Sequence, residues 1–225
     1  MGQQVHKGGY KLKREKAYKY IKKLIVEGRF SEKQAIDIHV LAKELEMSRT
    51  PIHKAITQLE QEGYLTVTPQ VGVFVKRPNH QVVYDRLLVC ATLDILMTGQ
   101  AAANINDKQL INLLKTVENM DNDKLTASEY EELNIWFHTQ IYKASGSEYA
   151  FSLNKVNWDY LNYVRMSDEL FLGKSRQQSQ IEHWTIYYAL KDRDDFLAKH
   201  VMEKHLYRVV NAVSDKYKIV VSEPN

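Results

Sequence analysis

The sequence predicts a mainly α chain in two parts. Helices and a small hairpin occupy residues 10–77, and an antiparallel bundle of six helices occupies 79–217. Three observations carry this reading. Apolar residues recur at helical spacing, as in Ile52, Ala55, Ile56 and Leu59, at i, i+3, i+4 and i+7. Strand-like composition is confined to Leu65–Thr68 and Val73–Val75, around Pro69-Gln70-Val71-Gly72. Lys76-Arg77-Pro78-Asn79 then interrupts regular structure, because proline restricts itself and the residue before it, and strand signals fade beyond it.

The first eleven residues are polar and contain glycine, so a loose segment is expected there. A helix is expected from Leu12 to Glu27, with Ala17, Ile21, Leu24 and Ile25 as its apolar stripe and Gly28 as its end. Lys13, Arg14, Lys16, Lys19, Lys22 and Lys23 cover its other faces and would supply sequence-independent attraction to phosphates. Phe30 to Ala35 connects to a short helix over 38–46, which Asp37 can cap and in which Leu41, Ala42 and Leu45 face inward. After a turn at Glu46-Met47 a second helix starts at Ser48. The Ser48 hydroxyl can accept from first-turn amides, and Pro51 sits where a missing donor costs little. Arg49, Thr50, His53 and Thr57 are left on the face opposite the apolar stripe, and Gly63 ends the helix. Helix, turn, helix and hairpin is the order of a winged helix-turn-helix, which sets its second helix in a DNA major groove.

Six helices are expected in the second part, at 79–103, 107–121, 126–145, 147–172, 175–191 and 193–216. Asn104-Ile-Asn106-Asp107, Asp121-Asn-Asp123, Ser145-Gly146-Ser147, Gly173 and Lys191-Asp192 punctuate them. The chain shows no repeat or sustained heptad, which leaves an antiparallel bundle.

Composition narrows the class. The 225 residues are 44% hydrophobic and 26% charged, enough for a core and ordinary for a soluble chain. No apolar run reaches membrane length, and Met-Gly-Gln-Gln-Val-His-Lys lacks the apolar core of a signal peptide, so a cytoplasmic location and no membrane partner are expected. The single cysteine, Cys90, excludes an internal disulfide framework. Residues 1–77 hold 15 Lys/Arg against 8 Asp/Glu, and the remainder 16 against 20. That asymmetry suits a nucleic-acid-binding part joined to an acidic one.

Histidines single out the bundle. His138 falls on the face of Tyr130, Leu133, Asn134, Phe137, Ile141 and Ala144, His183 on that of Ile186 and Leu190, and His205 among Val201, Met202, Val209 and Ala212. His200, beside Glu203 and Lys204, reads as solvated. An inward imidazole usually bonds a carbonyl or a water. Three on different helices each need a buried partner, and converging on a divalent cation would satisfy them together. The spacing is not a compact ligand motif, so both explanations stand on this ground alone.

Leu41-Ala42-Lys43-Glu44-Leu45-Glu46-Met47-Ser48-Arg49-Thr50-Pro51-Ile52 resembles the L-A-x-x-L-x-V-S-R-T-P-V of the GntR family, and Glu62-Gly63-Tyr64-Leu65 and Gly72-Val73-Phe74-Val75 continue the likeness. Leu133-Asn134-Ile135-Trp136-Phe137-His138 with Ala144-Ser145-Gly146-Ser147 is similar to the L-D-x-x-F-H…A-S-G-N of the FCD domain, found on the FadR-like branch of that family. Glu182-His183-Trp184-Thr185-Ile186 and His205-Leu206 resemble its later E-H-x-x-I and final H-L. The resemblance implies an FCD-like bundle holding a divalent metal, zinc or nickel, through Asn134, His138, His183 and His205, with a small carboxylate effector beside it. Arg165 and Arg176 are the candidate partners of that carboxylate, although surface positions would be their ordinary role. The DNA-reading set it implies is His39, Ser48, Arg49, Thr50, His53, Thr57 and Gly72.

Three departures modify the expectation. Asn134 stands where the family has aspartate, removing one negative charge from the site. Cys90 stands where the family tends to have arginine, three residues before Leu93-Asp94. His39 and His53 replace common arginines in the reader, which predicts an unusual operator, weaker phosphate clamping and some pH sensitivity, while Arg49 keeps the strongest reader of guanine.

The expected function is a ligand-responsive bacterial transcription regulator, a repressor acting as a homodimer on a two-fold double-stranded operator. Effector and operator would communicate through the linkage around 76–80. The alternative is a metal-dependent enzyme working at the histidines. No HExxH, paired carboxylates, phosphate loop or nucleophile elbow supports it, and Glu182 reads as a helix-face residue rather than a base. A third possibility is a DNA-binding module whose bundle only dimerises.

Overall fold

The elements run α1 (Gly2–Val26), α2 (Ile38–Glu44), α3 (Arg49–Gln61), β1 (Leu65–Thr68), β2 (Gly72–Val75), α4 (His80–Asn104), α5 (Asp107–Met120), α6 (Ala127–Ser145), α7 (Glu148–Arg165), α8 (Lys174–Lys191) and α9 (Asp195–Tyr217). They belong to a computed structural model that describes residues 2–31, 33–76, 78–165 and 174–217. Two units separate at 79/80.

In the first unit α1 begins at Gly2, where the sequence reading expected a loose segment. Once the turn after Leu12 is nucleated, each residue added to the helix gains a bond at little cost. Ala17, Ile21 and Ile25 are buried, and α1 packs on α3 through Ile52, Ala55, Ile56 and Leu59. Asp37 caps α2, its carboxylate accepting from the amides of His39 (2.7 Å) and Val40 (3.3 Å). Ser48 behaves otherwise: it has the extended geometry of an N-cap but makes no side-chain capping bond. Such a cap bonds the second or third helical amide, and the third residue is Pro51, which has none.

β1 and β2 pair antiparallel with Leu65 opposite Val75 and Thr68 opposite Gly72. Gly72 has φ +149°, and a Cβ there would sit 2.8 Å from the Ala35 Cβ, so the wing depends on its bare Cα. The amide of Ile36 donates to the Val73 carbonyl at 2.7 Å, fastening the strand to the segment before α2.

The second unit is built around α4, which packs against α9, α6 and α7 and is buried along most of its length. Capping boxes at Asn106/Gln109 and Thr126/Glu129 start α5 and α6, and Gly146 ends α6 at φ 75°. Arg193 closes the end of α4 by donating to the carbonyls of Ala103 (3.2 Å) and Ile105 (2.9 Å). On α9 the buried face is Ala198, Met202, His205, Leu206, Val210 and Val213; Ala212, expected inside, is exposed. The part of the helix expected over 147–172 that follows Arg165 lies outside the described residues. None of the described helices is long and apolar enough to cross a membrane.

Candidate functional sites

In the first unit, α3 presents Arg49, Thr50, His53 and Thr57 as exposed side chains, and Ser48 just before it is exposed as well. The wing folds back so that Val71, Gly72 and Val73 form one wall of an open groove of about 340 Å³. His39 from α2 and Arg49 and His53 from α3 line the same groove. The fold thus gathers His39, Arg49, His53 and Gly72, far apart in sequence, into the lining of one groove. Ser48, Thr50 and Thr57 lie outside its lining, and the Thr57 hydroxyl donates to the His53 carbonyl at 3.0 Å, leaving its lone pairs to accept.

In the second unit, His138 on α6, His183 on α8 and His205 on α9 converge. One ligand nitrogen from each lies within 4.8 Å of the other two, and all three residues are buried. Ring centroids are 4.7 Å apart for His183 and His205 and 5.4 Å for His138 and His205. Burial holds His138 and His183 well below the usual imidazole range, and the neighbouring His205 pushes the same way. Both are therefore neutral, the form that ligates metals.

Their ring orientations follow from what surrounds them. Glu182 Oε2 lies 2.8 Å from His205 Nδ1 and 2.6 Å from Arg208 Nη2, and Arg208 also donates to Ser179 Oγ at 2.9 Å. Burial would raise the Glu182 carboxyl, but bonds from His205 and Arg208 outweigh it and bring it down to about 2. An ionised carboxylate only accepts, so Nδ1 of His205 carries a hydrogen toward Glu182 and Nε2 is the nitrogen left to face the other two rings. His183 Nδ1 has a long contact of 3.5 Å to Gln180 Oε1, while His183 Nε2 and His138 Nδ1 have no partner. Glu182, read from sequence as a helix-face residue, is in fact the buried anchor of His205. Adjacency to His183 was its only sequence signal.

Other expected members stand differently. Asn134 lies one turn before His138 on α6 and is half-buried. Arg176, expected to meet an effector, donates to the carbonyls of Asn122 (2.9 Å) and Leu125 (3.2 Å) and stacks on Tyr130 at 4.5 Å. Two of its five N–H donors tie the α5–α6 turn, and its flat face covers Tyr130. The Arg165 side chain lies outside the described residues. The cation beside the histidines is Arg208, which the sequence did not single out.

Sequence reading also missed a polar group in the same unit. Asp94 on α4 is fully buried and accepts from Asn154 Nδ2 on α7. Burial pushes the Asp94 carboxyl up to about 8, although Tyr142, Asn154 and Trp158 pull toward the charged form. Burial raises the Cys90 thiol and the Asp94 charge raises it further, so it is an unreactive neutral group.

Comparison with known proteins agrees across the chain. Residues 13–75 match the family described as bacterial regulatory proteins, gntR family, and residues 85–208 match the FCD domain. The HTH-type transcriptional repressor GlaR of Escherichia coli (strain K12) is 22% identical over 84% of this chain and 90% of its own length. The Nta operon transcriptional regulator of Aminobacter aminovorans is 25% identical, covering 77% of this chain and 83% of its own. Among solved structures, E. coli McbR/YncC superposes with a TM-score of 0.69 at 17% identity, over 91% of this chain and 98% of that one.

Proposed function

The chain belongs to the GntR family of bacterial regulatory proteins, with an FCD domain behind its winged helix, and we propose that it is a metal-dependent sensor of a small organic acid. It is a transcriptional regulator and not an enzyme, as the related proteins are. One observation supports the finer reading most: three buried imidazoles whose nitrogens lie within 4.8 Å of one another. The donor set suits a divalent metal such as zinc or nickel, because imidazole is a preferred ligand of both. His138, His183 and His205 would hold it, with the Asn134 amide oxygen as a fourth donor. Three imidazoles and an amide cancel none of the cation's charge, so the metal, when bound, supplies a Lewis-acidic anchor for an anionic group. Glu182 holds the His205 ring by its Nδ1–H, as carboxylates do behind metal-bound histidines.

In the first unit Arg49 reads a base edge, His39 and His53 face the groove beside it, and Gly72 lets the wing approach the backbone of the duplex. Two copies of the chain bind a two-fold operator in the cytoplasm, and ligand in the bundle changes that affinity, most simply releasing a repressor. Elemental analysis of the purified protein and fluorescence anisotropy with an operator selected from random duplexes test this. Expected are about one metal per chain, lost in His183→Ala, and operator binding weakened roughly 5- to 150-fold in Arg49→Ala. A chain that binds no metal, or an Arg49→Ala variant that binds its selected duplex unchanged, overturns it.

A further inference from the structure

The outer side of α4 carries no charge along most of its length. From Leu87 to Ala103 its only ionisable residues are Cys90 and Asp94, and both are buried. Its outward residues are apolar or small: Val89 is 48% exposed and Leu96 51%, with Thr92 and Ala103 exposed beside them. The following helix, α5, shows the ordinary pattern, with Lys108, Lys115 and Glu118 on its surface. α7 repeats the apolar exposure in Tyr149 (78%), Leu153 (44%) and Val156 (43%), which follow one another at four- and three-residue steps.

The two apolar stripes adjoin. α4 and α7 are held antiparallel by polar ties along their length: Ser147 Oγ donates to Gln100 Oε1 at 2.5 Å, the Asn154 amide to Asp94, and Arg86 to Asn157 Oδ1 at 3.3 Å. The Arg86 guanidinium also lies over the Tyr160 ring at 4.0 Å. Arg86, Val89, Leu93, Leu96 and Gln100 follow one line along α4 at three- and four-residue steps, and Ser147, Ala150, Leu153 and Asn157 do so along α7. Both ends of each line reach the other helix. Val89, Leu96 and Leu153 therefore border the α4–α7 junction on its outer side, and Tyr149 and Val156 carry that surface across α7.

We propose that this α4–α7 face is where a second copy of the chain docks, the four helices closing into a bundle across a two-fold axis. This deepens the two-copy reading above and rests on it. A duplex needs cations and a charged protein partner needs the opposite sign, and α4 offers neither between Leu87 and Ala103. On a two-fold axis a surface meets its own image, so a charge near the axis would face its like, and an uncharged stripe avoids that. The size suits a stable pair. α4 has 25 residues and is ~37 Å long, and with α7 at ~10 Å the face is ~20 Å wide, so about 700 Å² is covered per copy, near the roughly 800 Å² of a standard interface. Apolar surface of that extent is rare on a chain that stays single. The polar ties fix the two helices before docking, so little order remains to be imposed.

Sedimentation velocity on the full chain at micromolar concentration tests this, with Leu96→Glu and Leu153→Glu set against Ile111→Glu, a position 54% exposed on α5. A dimer is expected for the wild type and for Ile111→Glu, and a dissociation constant raised about tenfold or more in each of the other two. Both leucines already face water, so circular dichroism should show the native fold, and Leu96→Ser takes the place of a glutamate variant that does not fold. A wild-type dimer that neither leucine substitution weakens overturns the inference, as does one that Ile111→Glu weakens as much. A wild type that sediments as a monomer overturns it too. The number of chains on the selected operator, measured by light scattering of the complex, is read separately: two leave the proposed function standing, and one overturns that as well.

Discussion

Asp94 gives the chain a measurable acid–base signature. Its carboxyl is pushed up to about 8 by burial, against about 4 in an unfolded chain. Between these values the folded protein holds a proton that the unfolded chain has released, so stability falls as pH rises from about 4 to 8. The slope is at most ~1.4 kcal/mol per pH unit from this one group. Urea unfolding at pH 5 and pH 8 should show a smaller difference in Asp94→Asn than in wild type. Glu182 works in the opposite sense. Its carboxyl, brought down to about 2, contributes stability above the ordinary carboxylate range that is lost as pH falls toward 2. Glu182→Gln should weaken metal binding roughly 10- to 100-fold in a chelator competition, because His205 loses the group that fixes its tautomer. The three histidines were legible in the sequence because each sits on an apolar helical face. Asp94 was not singled out, although it continues the buried stripe of Leu87, Cys90, Ala91, Met97 and Ala101, because spacing alone does not say which groups on other helices would receive a buried acid.

Elements constrain what single positions can tolerate. Gly72→Ala should lower the stability of the first unit by about 1–3 kcal/mol, since its φ of +149° and the 2.8 Å approach to Ala35 leave no room for a methyl group. Thermal unfolding would register that loss, and anisotropy would show weaker operator binding as the wing shifts. Arg176→Ala should loosen the α5–α6 turn by roughly 1–3 kcal/mol, with ligand affinity unchanged, because its bonds go to Asn122 and Leu125. The α3 stripe and the hairpin could be read directly from spacing and turn residues. The use of Arg176 could not, because a long side chain on α8 reaches a turn about fifty positions earlier, and only tertiary packing decides that. Ser48 was misread for a local reason: its capping partner would have been the amide that Pro51 lacks.

At the scale of the molecule, charge is the property that survives any detail of the site. Fifteen basic residues against eight acidic ones in positions 1–77 predict operator binding that weakens steeply with salt. A plot of log affinity against log salt should slope at roughly −5 if about six phosphates are neutralised. A shallow slope would mean that the lysines of α1 solvate their own helix and little else. Family membership and division into two parts were legible because the motifs span both units. The docking face was not, because it depends on which side of α4 the bundle leaves uncovered.

Trp158 adds a practical consequence. Its indole lies 6.4 Å from the His138 ring, and its buried N–H faces the Asp94 carboxyl. Any cation or anion arriving there must perturb the excited state of that indole, so intrinsic emission can follow loading in real time without a label. The other two emitters are Trp136 on the exposed side of α6 and Trp184, held by Asp121 at 2.9 Å. Replacing both with phenylalanine would leave a single-lamp reporter for the interior of the bundle.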